Sequence, residues 1–216
     1  MTCVAAIKSD DFRKWQQDVQ NTIVGGDVDG MYPEVVISYA TGNRERLDVT
    51  GAGPGTKYCY DITMALHAAG HPGIPCFSGL HVPAGKDWKM YFTKLDGRFA
   101  RAKVFIVVLS KALFESMACL EEISRAVKCK TITTIIPVVF EAGLPGKSMQ
   151  WSTIQSNDSV AVEKLDTVQA TLGQLNSFPS PAAGLMRPEL MPELVRLVLS
   201  AGVHPPEVTT CPAAWA

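Results

Sequence analysis

"KVFIVVLSKALFESMACLEEI", residues 103–123, carries the fold decision in a single line. Val104–Leu109 is an unbroken apolar run, rich in β-branched residues and free of turn formers. It does not alternate, so both faces of the strand must be covered, as in a parallel sheet. Ser110 closes the run, and a helical pattern follows, with Met117, Leu120, Ile123 and Val127 on one stripe. The stretch ends in two adjacent carboxylates. By that stripe Glu121 lies at the flank and Glu122 almost opposite the centre. A glutamate pair on a helix is ordinarily a solvated face. This pair, however, comes soon after the carboxyl end of a buried strand, where open α/β sheets place their ligand crevice.

Working outward, "EVVISYA" (34–40), "GIPCFSG" (73–79) and "TITTIIPVVFE" (131–141) read as further strands. Helical spacing predicts helices over Lys57–Ala69, Asp87–Ala100, the segment up to Lys128, residues 161–175 and residues 188–202. A short N-terminal helix is expected at 10–20, and "NSFPSPAAG" (176–184) is either a short last strand or a loop. Strand and helix alternate, which is the α/β pattern. Right-handed crossovers then favour a flavodoxin-like, doubly wound parallel sheet of about five strands in the order 2-1-3-4-5. The expected organisation is an N-terminal extension over 1–31, a domain over 32–201 and a disordered tail over 202–216.

Bulk properties narrow the function. A chain of 216 residues with net charge −1 lacks the basic stripe of a nucleic-acid binder. No run is long and apolar enough for a membrane helix, and the N-terminus lacks a secretory pattern. Cys3, Cys59, Cys76, Cys119, Cys129 and Cys211 are scattered, which suits reduced thiols and a cytoplasmic protein better than disulfides or zinc. His67 and His71 lack metal-ligand spacing, and no metal site is expected. "GAGPG" (51–55) follows no strand and precedes Lys57-Tyr58, so it reads as a loop rather than a phosphate cradle.

The crevice rule selects three loops: "SYATGNRER" after the first strand, "SGLHVPAGKDW" after the second and "SKALFESMACLEE" after the third. With their strands, "PEVVISYA", "CFSGLHVPAGKDW", "FIVVLSKALFESMACLEEI" and "TIIPVVFE" resemble, in order and spacing, the first four strands and adjoining loops of Toll/interleukin receptor (TIR) domains. Many members of that family cleave NAD+. The resemblance lays their catalytic glutamate on Glu122, the second acid of the cysteine-leucine-acid-glutamate run.

What the resemblance implies has a physical basis. Breaking the nicotinamide–ribose bond builds positive charge on the sugar, as in glycosidic transition states. An adjacent carboxylate stabilises that charge. Nicotinamide departs neutral, so no general acid is needed. The expected substrate-binding residues are Ser38 and Arg44 as polar contacts and Tyr39, Phe77 and Trp88 as stacking groups. His81, Ala118 and Cys119 line the same rim. The implied activity is NAD+ nucleosidase, giving ADP-ribose or a cyclic isomer, in immune or cell-death signalling. NAD+ enters as substrate, with no other cofactor. TIR–TIR contacts imply a homo-oligomer, with neither nucleic acid nor membrane as partner.

The chain departs from the family pattern at Ala118, where such enzymes often carry tryptophan. It also has Ala40 and Thr41 where arginines stand, and Ser78 where an acid does. Two rivals share the fold: an adaptor that only self-associates through the loop around His81–Gly85, and an enzyme like the nucleoside deoxyribosyltransferases, which also use a glutamate.

Overall fold

The computed structural model describes residues 33–41, 54–70, 73–82, 102–144 and 159–205. The expected N-terminal helix, the expected helix over Asp87–Ala100, Arg44, His71 and Trp88 lie outside them. The elements in chain order are β1 (Val35–Ser38), α1 (Pro54–His67), β2 (Cys76–Phe77) and β3 (Val104–Leu109). They continue with α2 (Met117–Lys128), β4 (Thr134–Val139), α3 (Ser159–Leu172) and α4 (Met191–Ser200).

The strands form one parallel sheet in the order β2-β1-β3-β4. This is the flavodoxin-like arrangement that the unbroken apolar runs demand. Val104–Leu109 is buried along its whole length. Its side chains divide by parity, as a strand's must. Phe105, Val107 and Leu109 join Val36 under α2 and α3, where Leu120, Ile123, Val168 and Leu172 pack. Val104, Ile106 and Val108 join Val35 and Ile37 under α1 and α4, against Ile62, Leu66, Leu194 and Val198. The two layers of helix thus cover both faces.

The expected fifth strand is reduced to a single parallel bridge, Val138 to Phe178. Pro137 explains the shortfall. On the side away from β3, β4 offers the Pro137 carbonyl to the Phe178 N–H at 2.7 Å and the Val139 N–H to the Phe178 carbonyl at 2.8 Å. Proline has no N–H to extend that ladder, which is why it is tolerated only at such an edge. Beyond the bridge, the Met186 N–H bonds the Val139 carbonyl at 2.7 Å.

Two boundaries differ from expectation. The folded body continues past Ala201: Val203 is fully buried in the core, and Lys103 Nζ holds the Gly202 carbonyl at 2.7 Å. At the other boundary, α1 begins at Pro54 rather than Lys57, so the end of the glycine-rich stretch is helix, not loop. Proline suits a first helical turn because its missing N–H has no partner there. Gly55 is required by packing. A Cβ at this position would sit 1.8 Å from the Ala40 carbonyl oxygen. The start of α1 is therefore pressed onto the backbone that leaves β1. Gly55→Ala is expected to lower stability by about 1–3 kcal/mol, read as a drop in the denaturant midpoint.

Candidate functional site

Three neighbouring strands end in a buried serine: Ser38, Ser78 and Ser110. A serine at a strand end commonly turns its hydroxyl on the local backbone. Ser110 Oγ does so, accepting from the Leu113 N–H at 3.3 Å. Ser78 Oγ accepts from the Leu80 N–H at 3.3 Å, and His81 Nδ1 returns the favour by accepting from the Ser78 N–H at 3.0 Å. Ser38 behaves differently. Its hydroxyl donates to Glu122 Oε2 at 2.6 Å, across 84 residues of sequence. Parity places it there: Ser38 follows Val36 on the face that α2 covers.

α2 delivers Glu122 through an ordinary helix start. Ser116 caps it, its Oγ accepting from the Cys119 N–H at 3.3 Å. The buried side of α2 is Cys119, Leu120, Ile123, Ser124 and Ala126. Met117 and Val127, which define the stripe in sequence, are only partly buried at its border. The true contact face is thus rotated toward the small residues Cys119 and Ala126. That rotation sets Glu122 at the seam with β1, where it meets Ser38. Glu121 turns the other way and pairs with Lys164 of α3 at 3.2 Å.

Among the described residues, the groups that sense the charge of Glu122 bring it no countercharge: Tyr39 just past β1, Cys59 of α1 and Cys119 of α2. Although Glu122 is only partly buried as a whole, its carboxyl end is enclosed. Burial raises its pKa from 4.5 to about 8, the Ser38 hydrogen bond lowers it, and the Glu121 charge raises it. A carboxyl group held protonated at neutral pH beside a sheet's carboxyl rim is uncommon for structural glutamates and frequent at functional sites. Burial likewise pushes the Cys59 and Cys119 thiols and the Tyr39 hydroxyl far up, so none of them is a nucleophile at rest.

The other expected site residues distribute unevenly. Tyr39 lies at the rim, half-buried, its hydroxyl over Gly79, where a Cβ would stand 3.3 Å from Oη. Ala118 is partly buried one turn before Glu122 and offers no ring. Cys119 is core filler beneath the carboxylate. Phe77 is 2% exposed and belongs to the core under α2. In that position it presents no open face for stacking. His81 is not an exposed loop tip: it is fully buried, stacked on Phe77 with ring centroids 5.7 Å apart. Burial lowers its pKa to about 4. Its Nε2 has no hydrogen-bond partner.

Cys59 and the Ser78–His81 cap were missed in sequence. The cap is a variant of the capping box with histidine in place of glutamate, and S-x-x-H was its only signal. Cys59 gave none, since a small apolar residue on a helix reads as core. Among the described residues no group of three or more His, Cys, Asp and Glu could hold a metal ion. No described helix is long and apolar enough to cross a membrane.

Glu121 shares its charge with Lys164 at the surface, so Glu121→Gln is expected to change stability by less than about 1 kcal/mol, as exposed pairs contribute little. Removing its charge should lower the pKa of Glu122, read in an NMR titration of the carboxyl, because Glu121 raises it.

Comparison with curated protein sequences gives no match. A family model for the TIR domain matches residues 52–168, more than half of the chain. Its span begins just before α1 and takes in β2, β3, α2, β4 and most of α3, including the helix that presents Glu122. The chain belongs to the TIR domain family.

Proposed function

We propose that this TIR domain is an NAD+ nucleosidase, cleaving the nicotinamide–ribose bond with Glu122 as the catalytic carboxylate. The observation that supports this most is the Ser38–Glu122 contact of 2.6 Å at the carboxyl end of β1. A solvated glutamate would have no reason to be gathered into that rim and held protonated against its ordinary pKa.

In this reading NAD+ sets its nicotinamide ribose against Glu122. The pyridinium cation favours the ionised carboxylate, so substrate binding draws off the proton that the empty site retains. As the C1′–N bond breaks, the bonding electrons leave with nicotinamide, which becomes neutral. The positive charge moves to the ribose ring and faces the carboxylate, where a low local dielectric strengthens the attraction. Water then adds to C1′ and loses a proton, giving ADP-ribose, or an atom of the same nucleotide adds and gives a cyclic product. Tyr39, beside the Ser38–Glu122 contact in sequence and sensing the Glu122 charge, is a candidate contact to the ribose or the leaving ring. Arg44 and Trp88, in the neighbouring loops by sequence, are the remaining candidates for phosphate and ring contacts.

The test is incubation of the purified chain with NAD+, with nicotinamide and nucleotide products separated chromatographically. Nicotinamide release by wild type supports the reading. Its absence at high protein concentration favours the adaptor, and turnover of a deoxynucleoside in place of NAD+ favours the transferase.

A further inference from the structure

Ser38 entered as a candidate substrate contact, and the geometry points to another role: we infer that Ser38 is a positioning residue that holds Glu122 Oε2 and reserves Oε1 for the ribose. The inference rests on the nucleosidase reading and goes beyond it by dividing the labour between the two oxygens of one carboxylate.

Three observations carry it. Ser38 is completely buried, so its hydroxyl is shielded from solvent behind the rim. Its hydroxyl donates to Glu122 at 2.6 Å across the fold, whereas Ser78 and Ser110, at equivalent strand ends, accept from backbone N–H groups two or three residues on. And β1 is an interior strand of the sheet, paired on both sides: Val36 with Phe77, and Ser38 itself with Val107. A carboxylate on a helix flank has several rotamers. One short hydrogen bond to a central strand removes that freedom, which is how a supporting group preorganises a working one.

The hydroxyl suits both protonation states. When Glu122 is ionised, Ser38 donates to Oε2. When Glu122 is neutral, its own proton on Oε2 can point to Ser38 Oγ, because a hydroxyl accepts as well as donates. The contact therefore survives the ionisation that substrate binding provokes: the proton leaves to solvent, the charge spreads over both oxygens, and Oε2 stays in place while Oε1 faces the ribose. Among the described residues, the other groups facing this carboxyl are Tyr39 just past β1, Cys59 from α1, and Cys119 and Glu121 from α2, and none of these is cationic. Lys164 of α3 is occupied by Glu121. Among these neighbours only the Ser38 hydroxyl favours the charged form.

The experiment compares wild type, Ser38→Ala and Ser38→Thr in the full chain, measuring nicotinamide release from NAD+ between pH 5 and 9. Ser38→Ala is expected to lose about 10–100-fold in kcat with KM changed less than about threefold. It should also shift the apparent pKa of the kcat/KM profile upward by about half a unit or more, since the anion loses its donor. Ser38→Thr keeps the hydroxyl and should recover most of the rate and return the profile to the wild-type position. Thermal melts run alongside distinguish misfolding from misplacement. An unmoved pH profile in Ser38→Ala, a loss expressed wholly in KM, or a folded threonine variant as impaired as alanine would overturn the positioning role and leave the nucleosidase reading standing. Absence of nicotinamide from wild type would remove both.

Discussion

Glu122→Gln should reduce kcat for nicotinamide release by about 10²–10³-fold, the usual loss when a preorganised electrostatic group is removed. The substitution is nearly isosteric. Its amide can accept from Ser38 or donate to it, so the 2.6 Å contact has a replacement and the rim keeps its shape. What disappears is the capacity to become an anion. The ribose cation then meets a neutral dipole, and the transition state, where positive charge moves onto the sugar beside the carboxyl, loses its countercharge. The chain should fold normally, and at pH 8 and above it should melt at a higher temperature than wild type, because it no longer buries a charge. Loss of rate together with higher alkaline stability separates a working carboxylate from a structural one. A folded variant with the wild-type rate would show that the ribose finds its countercharge elsewhere.

Much of this could be read from the chain before any coordinates. Val104–Leu109 and Thr134–Val139 declare a parallel sheet because nothing in them alternates. That fact leads to the carboxyl rim and so to the segment carrying Glu122. What the sequence misjudged was rotation. The helical stripe was drawn through Met117 and Val127, which are large and apolar, whereas the contact face runs through Cys119 and Ala126, which are small. Close approach of a helix to a sheet favours small residues, and hydrophobicity alone undervalues them. By that stripe Glu122 stands almost opposite the core centre, a position open to solvent or to a cleft, and the stripe alone does not choose between them. Local capping was similarly hidden. His81 reads as a loop residue of the rim because it sits among glycine and proline, but its Nδ1 is claimed by the Ser78 N–H and the ring is buried. The fifth strand shrinks to a bridge for a covalent reason, the missing N–H of Pro137.

Stability should depend on pH in a way that isolates the buried carboxyl. The unfolded Glu122 ionises near 4.5 and the folded one near 8, so between those values the folded state holds a proton that the unfolded state has lost. Stability from this group is full below 4.5 and declines as pH rises to 8, by about 1.4 kcal/mol per unit. His81 has the opposite sign. Its pKa falls from 6.5 to about 4 on folding, so the unfolded state binds more protons in that interval and stability rises with pH. The two slopes oppose each other from 4.5 to 6.5 and leave Glu122 alone from 6.5 to 8. Cys59, Cys76, Cys119 and Tyr39 do not intrude, because their unfolded forms ionise only near 9 or 10. Wild type is therefore expected to melt almost independently of pH up to 6.5 and then to lose about 2 kcal/mol by pH 8, some 4–8 °C for a chain of this size. Glu122→Gln should abolish that loss. His81→Asn, whose amide oxygen can still accept from the Ser78 N–H, should extend the decline down to about pH 4.5. Should the glutamine variant keep the wild-type slope above pH 6.5, the carboxyl at the rim of β1 is not held protonated, and substrate has no proton to displace.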